Sequence, residues 1–117
     1  MAQPAGISTL IELDHAFDES KGRPVVIFKH SDRCGVSAHA YQDYRDYVAE
    51  AAGVDVLFTM IPVRDARSVS DALADRTGIR HESPQVIVLR DGAAAWSASH
   101  WDISREALER ALAEGTA

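Results

Sequence analysis

Apolar residues recur along the chain at two alternating spacings, and the alternation predicts its elements. Leu10, Leu13 and Phe17, three and four apart behind Ser8, form one face of a capped amphipathic helix ended by Lys21-Gly22-Arg23-Pro24. Pro24 to Lys29 is a short β-branched run, the mark of a buried strand. Tyr41, Tyr44, Val48 and Ala51 share a second helical face that starts near Cys34 and closes at Gly53. Val54 to Ile61 reads as a second strand, its imperfect alternation fitting a segment covered on both faces. Ser68, with Asp71 three residues on, opens a helix carrying Val69, Ala72 and Leu73, and Thr77-Gly78 stops it. Ser83-Pro84 precedes the apolar strand Val86-Ile87-Val88-Leu89, Asp91-Gly92 supplies a hairpin turn, and Ala93 to Ala98 returns with Trp96 anchoring one face. Asp102 or Ser104 caps a last helix with Ala107, Leu108 and Ala111 on its inner side.

The predicted order is α-β-α-β-α-β-β-α. A strand-helix-strand unit is parallel and right-handed, and the final hairpin is antiparallel. The expected fold is therefore α/β and thioredoxin-like, a four-stranded mixed sheet flanked by helices on both faces. Few other folds of this length share the order.

Composition narrows the setting. The 117 residues fit one domain, 1–117, at roughly 100–200 residues per domain. Hydrophobic residues at 46% and charged residues at 26% describe a globular chain rather than a disordered one. Twelve Lys and Arg against eighteen Asp and Glu give a net charge of −6, which argues against binding a nucleic-acid backbone. No apolar run approaches the roughly 18 residues of a membrane span, and Met1 to Gly6 has neither the basic nor the hydrophobic region of a signal peptide. With one cysteine there is no internal disulfide. A cytoplasmic monomer, without membrane or nucleic-acid partners, is expected.

That one cysteine carries the candidate chemistry. Cys34 falls after the first strand and at the start of the next helix, where backbone N–H groups stabilise an anion and lower a thiol's pKa. Lys29, His30 and Arg33 are placed to add positive potential. Ser37, one turn on in Cys34-Gly35-Val36-Ser37, is placed to donate its hydroxyl to the sulfur. Without a second thiol, the chemistry is restricted to mixed disulfides with another molecule's sulfur. In this architecture a cis Pro84 would face the cysteine and turn the backbone groups of Ser83 toward an extended thiol ligand.

Three stretches, His30-Ser31-Asp32-Arg33-Cys34-Gly35-Val36-Ser37, His81-Glu82-Ser83-Pro84-Gln85 and Ala98-Ser99-His100-Trp101-Asp102-Ile103, resemble the YtxJ-like family of the bacillithiol redox system. These are monothiol bacilliredoxins with a thioredoxin-like fold, and the likeness runs from about Ile11 to about Ala113. The resemblance implies a thiol-disulfide oxidoreductase that removes bacillithiol from protein mixed disulfides. Cys34 is then the nucleophile and bacillithiol a co-substrate, with no tightly bound cofactor and no metal. Its partners are bacillithiolated client proteins, a low-molecular-weight thiol and a regenerating disulfide reductase. Asp102 is placed to accept from backbone N–H groups or to pair with the thiol's cysteinyl ammonium. His100 suits its malate carboxylates, and Trp101 its sugar ring. The chain departs from the family's Thr-Cys-Pro-Ile-Ser at Arg33 and Gly35, and Gly35 loosens the first helical turn.

Two other classes compete. Cys34-Gly35-Val36-Ser37 is close to the Cys-Gly-Phe-Ser of monothiol glutaredoxins, which hold a [2Fe-2S] cluster between subunits. Of that family's Gly-Gly-Cys-Asp stretch, however, only Asp102 is matched. A redox-inactive binding module on the same fold is the third reading, and it would be indifferent to loss of Cys34. His30, Cys34 and His39 make a poor zinc set because His39 falls away from Cys34 around the helix. His15 and His81 read as solvated or capping residues, and Tyr41, Tyr44 and Tyr47 as helix packing and surface.

Overall fold

A computed structural model describes residues 3–32, 35–51 and 53–114. The strands and helices in chain order are β1 (Ala5–Gly6), α1 (Leu10–Glu19), β2 (Val25–His30), α2 (Gly35–Glu50), β3 (Leu57–Pro62), α3 (Arg67–Thr77), β4 (Gln85–Arg90), β5 (Ala93–Ser99) and α4 (Arg105–Glu114). A 3-10 turn, His100–Asp102, follows β5.

The sheet has five strands in the order β1-β3-β2-β4-β5, not the four expected. The added strand, β1, pairs parallel with β3 through Ala5↔Thr59 and Gly6↔Met60. Two small residues carry no periodicity, so only their proximity to the free edge of β3 makes them a strand. The rest follows the expected topology: β2 is parallel to β3 and antiparallel to β4, and β4 is antiparallel to β5.

Alternation along β2 divides the core into two layers. Val25 and Ile27 join Leu13, Phe17, Val69, Leu73, Ile87 and Leu89 beneath α1 and α3. Val26 and Phe28 join Tyr44, Tyr47, Val48, Phe58, Val88 and Leu108 beneath α2 and α4. All four β2 residues are fully buried, as a strand covered on both faces requires.

Several boundaries move for local reasons. Thr9, not Ser8, caps α1: its hydroxyl accepts from Glu12 N–H at 3.1 Å, while Glu12 Oε1 accepts from the N–H groups of Thr9 and Ser8. Leu10, counted on the inner face, is 53% exposed. The second strand starts at Leu57 rather than Val54, because Val54 N–H donates to Ala51 O and Val56 N–H to Val54 O instead of joining the ladder. α3 begins at Arg67 with Ala66 at its cap and no side-chain bond there. Gly78 ends it at φ +72°, and Asp91 and Gly92 both take positive φ in the hairpin. Of the two proposed caps of the last helix, Ser104 serves, accepting from Ala107 N–H at 3.1 Å, while Asp102 closes the 3-10 turn.

Ser20 joins α1 to the hairpin. Its buried hydroxyl donates to Phe17 O (2.6 Å) and accepts from Gly92 N–H (2.9 Å), and its carbonyl accepts from Asp91 N–H (2.7 Å). Ser20→Ala strands the Gly92 N–H and is expected to lower stability by about 1–3 kcal/mol. In urea unfolding the midpoint falls with an unchanged slope; a wild-type midpoint would show that water replaces the bond without loss.

Candidate thiol site

The candidate residues gather at the C-terminal end of β2 and around the loop that enters β4. Cys34 and Arg33 lie outside the described residues. By sequence Cys34 immediately precedes Gly35, the first residue of α2, and follows the end of β2 by four residues.

Ser37 is fully buried in the first turn of α2. Its Oγ accepts from Ser31 N–H at 3.0 Å and lies 2.9 Å from His30 Nδ1. The His30 ring stacks on Tyr41, centroids 4.4 Å apart and planes 18° apart. Burial lowers the pKa of His30, with Asp32 opposing, and so works against a positive charge on the ring. Two proton placements satisfy this pair. In one, Ser37 donates to Nδ1. In the other, Nδ1–H donates to Ser37, whose two lone pairs are then filled and whose own hydrogen is free for another acceptor.

Lys29 departs from its expected place. One residue before His30, it points to the opposite face of the sheet, under α3, and is fully buried. Its Nζ lies 3.2 Å from His81 Nδ1, and Ser70 Oγ is 3.2 Å from the same nitrogen. A ligand on the protein surface therefore does not touch Lys29. Burial pushes its pKa down to about 8, partly offset by Asp71. His81 is exposed, as read from sequence, yet its Nδ1 reaches into this cluster, and burial and the Lys29 charge both lower its pKa. The available signal was a charged residue at the inward parity of an apolar run, Val25-Val26-Ile27-Phe28-Lys29.

The Ser83–Pro84 peptide bond is cis. Pro84 is buried, and Ser83 Oγ is buried without a hydrogen-bond partner among the described residues. Pro84 O accepts from His100 N–H at 3.0 Å, which fastens the 3-10 turn to this loop. His100, at φ +51°, places Nδ1 3.1 Å from Glu82 Oε2. A hydrogen bond from the Ser99 side chain, with His100 adding to it, holds the Glu82 carboxyl below its usual range. Trp101 is 77% exposed and Asp102 is exposed, so both lie open beside the loop. His39 is an exposed residue of α2, 3.8 Å from Asp43.

A parallel-antiparallel sheet between two helical layers, with a lone cysteine by sequence at the first turn of α2 and a cis-proline entering β4, defines a thioredoxin-fold protein. Solved structures agree. A protein described as having a thioredoxin fold is 30% identical over 92% of each chain, with a TM-score of 0.82. Thioredoxin from Malassezia sympodialis is 17% identical, covering 100% of this chain and 94% of its own, with a TM-score of 0.78. Thioredoxin from Fasciola hepatica is 16% identical, covering 94% and 97%, with a TM-score of 0.75. The pattern of the family described as monothiol bacilliredoxin BrxC matches residues 5–108, and the chain belongs to that family. Family and fold together support a thiol redox role. No helix among the described residues is long and apolar enough to cross a membrane.

The Lys29 ammonium penalises the fold. The unfolded chain binds more protons than the native state between about pH 8 and the ordinary lysine value of 10.5, so this group makes stability rise with pH across that window. Below about pH 8 the penalty is full, on the order of 3 kcal/mol. Lys29→Met is expected to be more stable than wild type at pH 7 by about 1–3 kcal/mol, the gap closing toward pH 10. Urea midpoints from pH 7 to 10 read this directly; a less stable variant at pH 7 would mean that the ammonium's bonds outweigh its desolvation.

Proposed function

We propose that the protein removes bacillithiol from mixed disulfides on client proteins. The Cys34 thiolate attacks the bacillithiol sulfur, the bond between that sulfur and the client cysteine breaks, and the client thiolate leaves and takes a proton. A Cys34–bacillithiol disulfide remains. A second bacillithiol thiolate attacks it, releasing oxidised bacillithiol and restoring Cys34 for another cycle, while a disulfide reductase recycles the small thiol.

The observation that carries this reading is the preparation of Ser37, three residues beyond the only cysteine. Its hydroxyl is buried and fixed by Ser31 N–H and His30. With Nδ1–H donating to Ser37, the serine hydrogen is free to stabilise a thiolate, and a hydrogen bond to an anion is stronger than one to a neutral thiol. The second thiol-binding surface is the loop and the 3-10 turn beside it. The Glu82 and Asp102 carboxyl groups offer acceptors to the cysteinyl ammonium, His100 stands beside them for a malate carboxylate, and the exposed Trp101 face suits the sugar ring. Ser83 and Pro84 border the same loop, and Arg33 adds charge beside the cysteine in sequence.

Intact mass spectrometry of reduced protein mixed with a bacillithiolated client is expected to show a bacillithiol-sized adduct that Cys34→Ala abolishes. A glutathionylated client is expected to react more weakly. No adduct from either client would overturn the reading, and an absorbance spectrum after iron–sulfur reconstitution would then separate a cluster carrier from a binding module. Ser37→Ala is expected to raise the Cys34 thiol pKa by about one unit, the loss of one charge-assisted bond. The rate of iodoacetamide alkylation against pH measures it; an unshifted profile would remove Ser37 from the mechanism.

A further inference from the structure

The segment between α3 and β4, residues 78–84, belongs to no helix or strand, yet it carries Ser83 and Pro84. The ties holding its middle run through side chains from the α1/α3 layer. Lys29 Nζ and Ser70 Oγ both meet His81 Nδ1 at 3.2 Å. Gln85, which faces Lys29 across the β2–β4 ladder, donates its Nε2 to Arg80 O at 3.0 Å. Lys29 and Gln85 thus grip consecutive residues, one by its ring and the other by its carbonyl.

Nothing about core packing calls for an ammonium here. An apolar side chain would fill the inward position of β2 without desolvating a charge, as Val25 and Ile27 do. The cation holds the His81 ring in one orientation instead. With Nδ1 accepting from the Lys29 ammonium, which can only donate, the ring carries its proton on Nε2, and a neighbouring positive charge opposes a second proton. Other charges near the ring are Asp71 and Arg67 of α3 and its neighbour Glu82. The acids favour its protonation and Arg67 opposes it.

We infer that Lys29 is a positioning residue: from inside the sheet it holds the His81 ring, and through it the His81–Ser83 backbone that presents the Ser83–Pro84 surface to a sulfur ligand. The inference rests on the thiol-transfer reading for its kinetic consequence, though not for its structural one. Lys29 touches no substrate, so its loss acts on recognition of the mixed disulfide and leaves the intrinsic nucleophilicity of Cys34 alone.

Lys29→Met and His81→Ala test this singly and together, by backbone ¹⁵N relaxation, a His81 ring titration and transfer kinetics. In Lys29→Met the order parameters of residues 81–83 are expected to fall from about 0.85 to below about 0.6, and the His81 pKa to rise. The KM for a bacillithiolated peptide should rise on the order of tenfold, with kcat and the Cys34 alkylation rate within about twofold of wild type. His81→Ala should raise KM similarly, and the double variant should be no worse than either single one. A merely structural lysine predicts lost stability with unchanged KM. Unaltered order parameters or an unaltered KM in Lys29→Met would overturn the inference. A wild-type protein that forms no thiol adduct would overturn the functional reading instead, and the order parameters alone would then decide the positioning role.

Discussion

The pairing of β2 on both its edges is the constraint on which the molecule depends. Six consecutive residues ladder with β3 and five with β4, so the strand's backbone polar groups are satisfied and its side chains are free to be entirely apolar. Because a strand alternates faces, the same ladder sends Val25 and Ile27 into one layer and Val26 and Phe28 into the other. Both helical layers are therefore built on one segment, and the chain leaves that segment at His30, four residues before the only thiol.

The alternation continues past the apolar part and assigns the polar residues their work. Lys29 is carried into the α1/α3 layer, where it meets His81 and Ser70; His30 is carried to the α2 side, where it meets Ser37 and Tyr41. Two adjacent residues thereby address different parts of the site from opposite faces of one sheet. Each makes a side-chain hydrogen bond, Lys29 to His81 and His30 to Ser37, and burial depresses the pKa of each. Burial disfavours a charge on His30, and near pH 7 the lysine's charge is retained at a cost in stability.

This division bears on how a chain with one cysteine performs thiol chemistry. No resolving thiol shares the chain, so selectivity must come from how the protein presents a single sulfur and how it holds the incoming disulfide. In the proposed reaction the first task falls to the turn beginning α2, where Ser37 is fixed from two sides. The second would fall to the Ser83–Pro84 loop and the His100–Asp102 turn, tied to each other by the Pro84–His100 backbone bond and the Glu82–His100 pair. A net acidic surface is compatible with both, since neither task needs a broad positive patch.

Much of the fold was legible in order and spacing. Long apolar runs such as Val25–Phe28 and Val86–Leu89, and turn residues such as Gly78 and Asp91-Gly92, act locally, and the parallel and antiparallel pairings followed from the connections between them. The three stretches around Cys34, Ser83-Pro84 and His100-Trp101-Asp102 likewise carried the family resemblance that the family match bears out. Strand β1 was invisible because Ala5 and Gly6 become a strand only against the edge of β3. The direction of Lys29, the recruitment of His81 and the bond between Ser37 and His30 were equally hidden. A side chain's partner across 52 residues of sequence depends on which face it occupies and what packs there. Sequence alone thus determined every element except β1, their order and the position of the candidate nucleophile, because each depends on short-range pattern. Tertiary structure alone decided which charges are buried and which loops they hold, because hydrogen-bond partners for buried groups come from other elements of the chain.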